Sequence, residues 1–423
     1  MKISEFKLKN GLPVFLIKLP QFKTATVLVM YKTGSKYEDR KTSGLSHFLE
    51  HMFFKGTIKR PNTLSLSAEL DSIGAEFNAF TGKEYTGYYV KTPKNKIGIA
   101  VDVLGDMLTN SKFDSDEIER EKGVIIEEMN MYEDNPMMHI EDVFESCLYG
   151  DTPAGWDTIG SKENVMSFKR EDFINYFKTQ YGVKSAGLFL AGDFSVKEIK
   201  KILEEKFAGI LKNNYKNKSK VVEKQSKANY KIKTKKTDQM TLSLGFRTVP
   251  ANHKDEVVLK LLSIILGGSM SSRLFIELRE RRGLAYYVRA NTEFYSDCGY
   301  LTVQAGVPKD KFEEAVTVIL SEYQKLKNEL VSAKELKRAK DLLTGKLIVS
   351  MEGSDDFSTW YGRQFPTRDK FSSPEETLKK FKKVSDQDIR RVAKNLFVNK
   401  SLNLAVIGDV KDDKKISSIL KIK

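Results

Sequence analysis

The sequence predicts an α+β protein built from two copies of one unit, and three observations carry that prediction. The chain has 423 residues, too many for one ordinary core and suited to two domains of about 200 residues each. Its second half echoes its first. Ala191-Gly192-Asp193, followed by a lysine-rich amphipathic run to Leu203, returns as Ile407-Gly408-Asp409 with a similar run to Leu420, while Asp116-Glu-Ile-Glu-Arg120 returns as Lys334-Glu-Leu-Lys-Arg338. The offsets, 216 and 218 residues, nearly agree, whereas chance matches between charged helices have no reason to share a period. Between the halves, residues 212–238 carry ten lysines and few large apolar side chains, so this stretch buries little. The predicted division is a first domain over 1–213, a basic linker over 214–228 and a second domain over 229–423.

Each element of the first half has a local reason. Asn10-Gly11 between the expected strands 2–9 and 12–19 is a two-residue hairpin signal. Residues 24–31 (TATVLVMY) read as a buried strand. A helix is expected from Ser43, a good N-cap, to Gly56, a good stop. Then come a helix near 64–73, strands at 76–80 and 86–91, and long amphipathic helices near 95–108 and 114–132. Residues 184–191 read as a strand and 195–211 as a helix.

Composition narrows the function classes. The formal net charge is +14, which could recruit a polyanion. No nucleic-acid motif and no aromatic-interleaved basic stretch accompanies it, so a solvated lysine-rich surface is the better reading and no nucleic-acid partner is expected. Cys147 and Cys298 are too few for a disulfide framework or a cysteine zinc site. The first residues mix charge into every turn, and no run of about 18 apolar residues occurs. No membrane contact and a cytoplasmic location are therefore expected.

The chemistry lies in His47-Phe-Leu-Glu50-His51. Two histidines four apart stack on one face of a helix, and imidazole nitrogens suit zinc. Glu50 lies beside His51 and borders such a metal without being forced to bind it, as a base for metal-activated water requires. The order H-x-x-E-H reverses the commoner zinc-peptidase motif and is itself a catalytic signature. Two ordinary helical histidines are the alternative, but half of the chain's four histidines fall within these five residues. His139 and His253 have no such company. A catalytic site needs a third ligand, and residues 116–131 offer candidates: Glu121 and Glu128 share a face two turns apart, and Glu127 is rotated by about a quarter turn. Spacing alone does not choose among them.

These residues, with Met-Phe-Phe-Lys-Gly56-Thr after them and Glu119-Arg-Glu121-Lys-Gly-Val-Ile-Ile-Glu-Glu128-Met further on, resemble the pitrilysin/insulinase/mitochondrial-processing-peptidase family. The resemblance extends over essentially the whole chain. It implies two homologous α+β domains, each a mostly antiparallel β-sheet covered by α-helices. It makes Glu128 the third zinc ligand and Glu121 a supporting carboxylate, a role that a hydrogen bond to the ligand shell would suit. It also implies that Asn78, Ala79 and Phe80, within Glu76-Phe-Asn-Ala-Phe-Thr81, belong to a strand that pairs with the substrate backbone. Arg279 and Tyr286 correspond to the second domain's arginine–tyrosine pair near the scissile carbonyl, with Arg281, Arg282 and Tyr287 crowding that assignment. At the 218 offset the second half has Ile265, Gly268, Ser269 and Lys346 in place of His47, Glu50, His51 and Glu128, so one zinc per chain is expected.

The expected activity is that of a zinc metalloendopeptidase acting on peptides or short unfolded polypeptides, with metal-activated water and Glu50 as general base. Arg279 and Tyr286 would stabilise the oxyanion or clamp the substrate. The rival is a non-catalytic scaffold or partner subunit of the same family. A homodimer is the expected assembly, with a heterodimer containing an inactive relative as the alternative.

Overall fold

A computed structural model describes residues 3–212, 215–410 and 413–422. Lys2, where the first expected strand begins, and residues 213–214, where the expected domain boundary falls, lie outside the described residues. In chain order the first elements are β1 (Ile3–Lys7), β2 (Pro13–Lys18), β3 (Thr24–Tyr31), α1 (Leu45–Met52), α2 (Thr63–Asp71), β4 (Glu76–Thr81), β5 (Thr86–Pro93), α3 (Ile97–Asn110) and α4 (Ser115–Asp134). There follow α5 (Pro136–Tyr149), α6 (Lys162–Ser167), α7 (Arg170–Gln180), β6 (Ala186–Gly192) and α8 (Val196–Lys206). The second series is β7 (Asn229–Thr234), β8 (Gln239–Thr248), α9 (Glu256–Gly267), β9 (Tyr287–Phe294), β10 (Gly299–Pro308), α10 (Phe312–Asn328) and α11 (Ala333–Val349). It closes with α12 (Ser354–Gly362), α13 (Pro374–Lys383), α14 (Asp386–Leu396), β11 (Leu402–Gly408) and α15 (Asp413–Ile419).

The two sheets have one topology. The first runs β1-β2-β6-β3-β5-β4 and the second β7-β11-β8-β10-β9, so the second is the first without its β1. Among the described residues, the only parallel pair in each sheet is the equivalent one, β2 with β6 and β7 with β11, and the other pairs are antiparallel. Gly192 and Gly408 end equivalent strands at φ 145° and 157°, a region that favours glycine; this is the physical content of the repeated Gly-Asp.

Strand β3 is buried along nearly its whole length because helices cover both faces of its sheet. Val27 and Val29 face a core with Phe48 and Leu49 of α1 and Val101 and Leu104 of α3. Leu28 and Met30 face Phe357 and Tyr361 of α12 on the other side. In the second sheet, Leu404 and Val406 of β11 face one core, while Ala405 and Ile407 meet Ile140, Val143 and Phe144 of α5.

The compact units therefore depart from the linear division at 213–229. One comprises Met1–Met129, Trp156–Ser219 and Ser350–Ser373; the other comprises Asn130–Gly155, Lys220–Val349 and Pro374–Lys423. The apolar face of α5 covers the second sheet and that of α12 the first, although each helix lies on the other side of the linker in sequence. The expected hairpin turn is also corrected. The Leu8 N–H bonds the Leu12 carbonyl at 2.9 Å, closing a three-residue loop over Asn10-Gly11 rather than a two-residue turn. Lysines of the basic stretch sit on acidic neighbours: Lys218 lies 3.2 Å from Glu84 in the first unit, and Lys233 lies 3.0 Å from Glu133 in the second. Among the described residues, no helix is long and apolar enough to cross a membrane.

Candidate metal centre

Helix α1 carries the paired histidines. Leu45, Phe48, Leu49 and Met52 are buried and fix its orientation. His47 and His51 lie on the remaining face, their rings meeting edge-on with centroids 4.7 Å apart. Ser43 does not cap the helix; it begins after Gly44, and the acceptor comes from Glu38. The two carboxylate oxygens of Glu38 take the Gly44 N–H at 2.8 Å and the Ser46 N–H at 2.6 Å. Burial pushes the Glu38 carboxyl up to about 7 against the pull of those bonds.

Helix α4 carries the three candidate carboxylates and places each differently. Glu128 Oε2 lies 3.6 Å from both His47 Nε2 and His51 Nε2. Glu121, on the same face and buried, places Oε1 2.8 Å from His51 Nδ1 and pairs its other oxygen with Lys55. Glu127 is exposed. With Nδ1 donating to Glu121, the Nε2 lone pair of His51 is directed toward Glu128.

The electrostatics follow from burial and crowding of like groups. Burial, with His51 beside it, lowers the His47 imidazole to about 3, so it stays neutral, and its Nδ1 has no hydrogen-bond partner among the described residues. Burial also works against protonated His51, but the bond and charge of Glu121, with Glu128 and Glu50, outweigh it and hold this imidazole above its ordinary value. Burial raises Glu50 and Glu128. Burial pushes Glu121 up as well, but His51 and Lys55 hold it below the usual carboxylate range.

One ligand atom from each of His47, His51 and Glu128 lies within 4.8 Å of the others. Ligands on a tetrahedral zinc at about 2.0–2.1 Å sit roughly 3.4 Å apart, so the 3.6 Å separations and the two-nitrogen, one-oxygen donor set fit that metal.

Glu50 points elsewhere on the rim of this trio, where Thr81 Oγ1 donates to its Oε2. Thr81 ends β4, the outermost strand of the first sheet, which pairs on one side with β5. Asn78, Ala79 and Phe80 lie on this edge strand. Ala79 and Phe77 pack toward the α1 core, Phe80 packs on the opposite face, and the Ala79 N–H is taken by Asn78 Oδ1 at 2.8 Å. Arg279 and Tyr286 belong to the second unit and meet there: the Arg279 guanidinium lies 5.5 Å from the centre of the Tyr286 ring, which is 74% exposed. Sequence reasoning missed the partners of the site, Glu38, Lys55 and Thr81. Thr81 and Lys55 carried a signal only as members of the Asn-Ala-Phe-Thr and Met-Phe-Phe-Lys-Gly segments, and Glu38 carried none.

Comparison with known proteins places this geometry in context. Residues 13–162 match the sequence model of insulinase (peptidase family M16), and residues 167–343 match that of the peptidase M16 inactive domain. The chain is 33% identical over 398 residues to YmxG of Bacillus subtilis, covering 93% of this chain and 96% of that protein. It is 34% identical over 403 residues to a protein of Rickettsia felis, covering 95% and 96%. Both relatives are named uncharacterized zinc proteases. Among solved structures, a protease from Helicobacter pylori superposes with a TM-score of 0.88 at 23% identity, covering 96% of this chain and 99% of that one. A chain of complex III2 from Candida albicans does so with a TM-score of 0.84 at 15% identity, covering 99% and 100%.

Proposed function

The chain belongs to the insulinase family of peptidases, M16, and on that footing we propose that it is a zinc-dependent endopeptidase with one metal per chain, held by His47, His51 and Glu128. The observation that carries this reading is the convergence of both Nε2 atoms on Glu128 Oε2 at 3.6 Å. When bound, zinc supplies Lewis acidity, which makes water a stronger acid and a peptide carbonyl a better electrophile. Glu50 takes the proton of the attacking water at Oε1, the oxygen that Thr81 does not hold, and returns it to the leaving amine. Glu121 keeps the His51 ring in the tautomer that leaves Nε2 free.

The substrate is an extended peptide added to the edge of β4, a mode that reads backbone more than sequence. The Asn78 side chain bonds the Ala79 N–H in the free strand, and an incoming carbonyl would take that donor over. Arg279 and Tyr286 bind the carbonyl region of the substrate, and the assembly is a homodimer or, alternatively, a pairing with an inactive relative.

The second reading, a non-catalytic scaffold, has a fold argument behind it, since a chain of complex III2 shares this architecture. Against it stand His47, Glu50, His51 and Glu128, all present, with His47, His51 and Glu128 grouped. The deciding experiment is metal analysis of the purified protein, with cleavage of a peptide library before and after chelation and after zinc is restored. Glu50→Gln should keep its zinc and lose about 100-fold or more in turnover. Cleavage indifferent to chelation, or a Glu50→Gln protein as active as the parent, would remove this mechanism.

A further inference from the structure

Strand β4 ends in a residue whose direction the fold fixes with unusual care. Alternation along the strand sends Phe77, Ala79 and Thr81 to the α1 side and Phe80 to the other, where Tyr85 meets its ring edge-on at 5.9 Å. The Thr81↔Thr86 register and the bond from Gly82 N–H to the Tyr85 carbonyl at 2.8 Å then close the hairpin. A second segment pins the turn. Ser35 N–H bonds the Gly82 carbonyl at 3.2 Å and Lys36 N–H the Lys83 carbonyl at 2.9 Å. The approach is so close that a Cβ at Gly34 would lie 2.1 Å from the Gly82 oxygen. Beneath the turn, buried Glu84 holds Lys36 at 2.7 Å and Lys218 at 3.2 Å. The end of β4 cannot shift without opening this buried ion cluster, and a buried charge that loses its partner is strongly unfavourable.

We propose that Thr81 is a positioning residue for the reaction: from the end of the peptide-binding strand its hydroxyl fixes one carboxylate oxygen of Glu50, so that the other is presented to the attacking water. The proposal rests on the assignment of Glu50 as general base. A glutamate has three rotatable side-chain bonds, and a base is effective only within hydrogen-bond reach of the proton it removes. Thr81 supplies the restraint by donating to Oε2. The same strand that binds the substrate backbone therefore also sets the base, and the two are held in one frame by the pinned turn.

The alternative is that Thr81 only satisfies a half-buried hydroxyl and contributes stability. Thr81→Val keeps the shape of the side chain and removes the donor, and Thr81→Ser keeps the donor. In the full-length zinc-loaded protein, Thr81→Val should lower kcat about 10-fold or more, the scale of a hydrogen bond to a charged group. KM should stay within about twofold, and zinc per chain and melting temperature should match the parent. Thr81→Ser should recover most of the lost kcat. Parental kcat in Thr81→Val, a loss that Thr81→Ser does not recover, or a loss that tracks zinc content or melting temperature would each overturn the positioning role. Glu50→Gln, run in parallel, separates the two levels. If it turns over like the parent, the assignment of the base fails and this proposal falls with it; if it is inactive while Thr81→Val is normal, only Thr81 is wrongly placed.

Discussion

Lys346 Nζ donates to the main-chain carbonyl of Gly268 at 3.1 Å, and at the 218-residue offset these two positions correspond to Glu128 and Glu50. The second unit has thus put an ammonium group where the first presents a carboxylate toward its histidines. With Ile265 and Ser269 in the histidine positions, none of these four positions carries a histidine or a carboxylate.

Metal content follows from that contrast. The purified protein should hold one zinc per chain by elemental analysis. Glu128→Gln should lower occupancy and activity together, because a neutral amide oxygen is a weaker ligand than a carboxylate. Glu127→Gln should change little, because Glu127 is exposed while its neighbour faces both imidazoles. If the two variants ranked the other way, Glu128 would not be the ligand.

Zinc affinity should depend on pH through one histidine rather than two. A protonated imidazole cannot ligate, so the metal must displace its proton. His47 is held down at about 3 by burial and by His51, and it is already neutral at any pH near neutrality. His51 is held above its ordinary value of 6.5 despite burial, by Glu121, Glu128 and Glu50. As pH falls through and below that raised value, affinity should drop about 10-fold per pH unit, the slope of one proton. The slope should steepen only at lower pH, where Glu128 takes up its own proton. Glu121→Gln should move the onset to lower pH and weaken binding by roughly 10–100-fold, as loss of an outer partner of a ligating histidine does. Competition with a chelator across the pH range measures both. A two-proton slope near pH 6 would contradict the assignment of His47.

Much of this centre was legible because its members are local. His47, Glu50 and His51 lie within one helix, and helical spacing alone puts the histidines on one face. Glu128 was not reachable that way: periodicity left Glu121, Glu127 and Glu128 open, family resemblance favoured Glu128, and its approach to both imidazoles is a tertiary contact. The partners Thr81 and Glu38 act across tertiary contacts, which no local pattern encodes. The same limit applies to the fold. The repeated Gly-Asp announced the duplication, since it marks equivalent strand ends, but an amphipathic helix such as α5 or α12 shows only that one face must be covered. Which sheet covers it is decided by three-dimensional packing.

The buried cap of α1 should tie stability to pH. Both oxygens of Glu38 accept N–H bonds, from Gly44 and Ser46. Glu38→Gln replaces one acceptor by an NH2 group that faces a donor, and it should cost about 1–3 kcal/mol. Burial raises this carboxyl from its ordinary 4.5 to about 7, so the folded state binds the proton more tightly than the unfolded one. Its contribution is therefore most favourable below about pH 4.5 and declines as pH rises through 7. The stability gap between the parent and Glu38→Gln, measured by denaturant unfolding, should narrow from pH 5 to pH 8. A gap that widens would mean that the two backbone bonds outweigh burial.

Assembly gives the last prediction. Arg279 and Tyr286 stack on each other, with Tyr286 exposed, and they lie in the unit that lacks zinc ligands. In the homodimer proposed above, the Arg279/Tyr286 pair of one chain would serve the zinc site of the other, and symmetric pairing is the commonest way for identical chains to associate. Complementation tests this directly. Glu50→Gln and Tyr286→Phe proteins should each be nearly inactive alone, and each should retain its zinc. After mixing under conditions that exchange subunits, a mixed dimer holds one site with intact Glu50 from one chain and intact Tyr286 from the other. Random exchange makes about half of the dimers mixed, each with one good site of two, so about a quarter of parental activity should return. If Tyr286 served the zinc site of its own chain, every site in the mixture would lack one of the two groups and mixing would restore nothing.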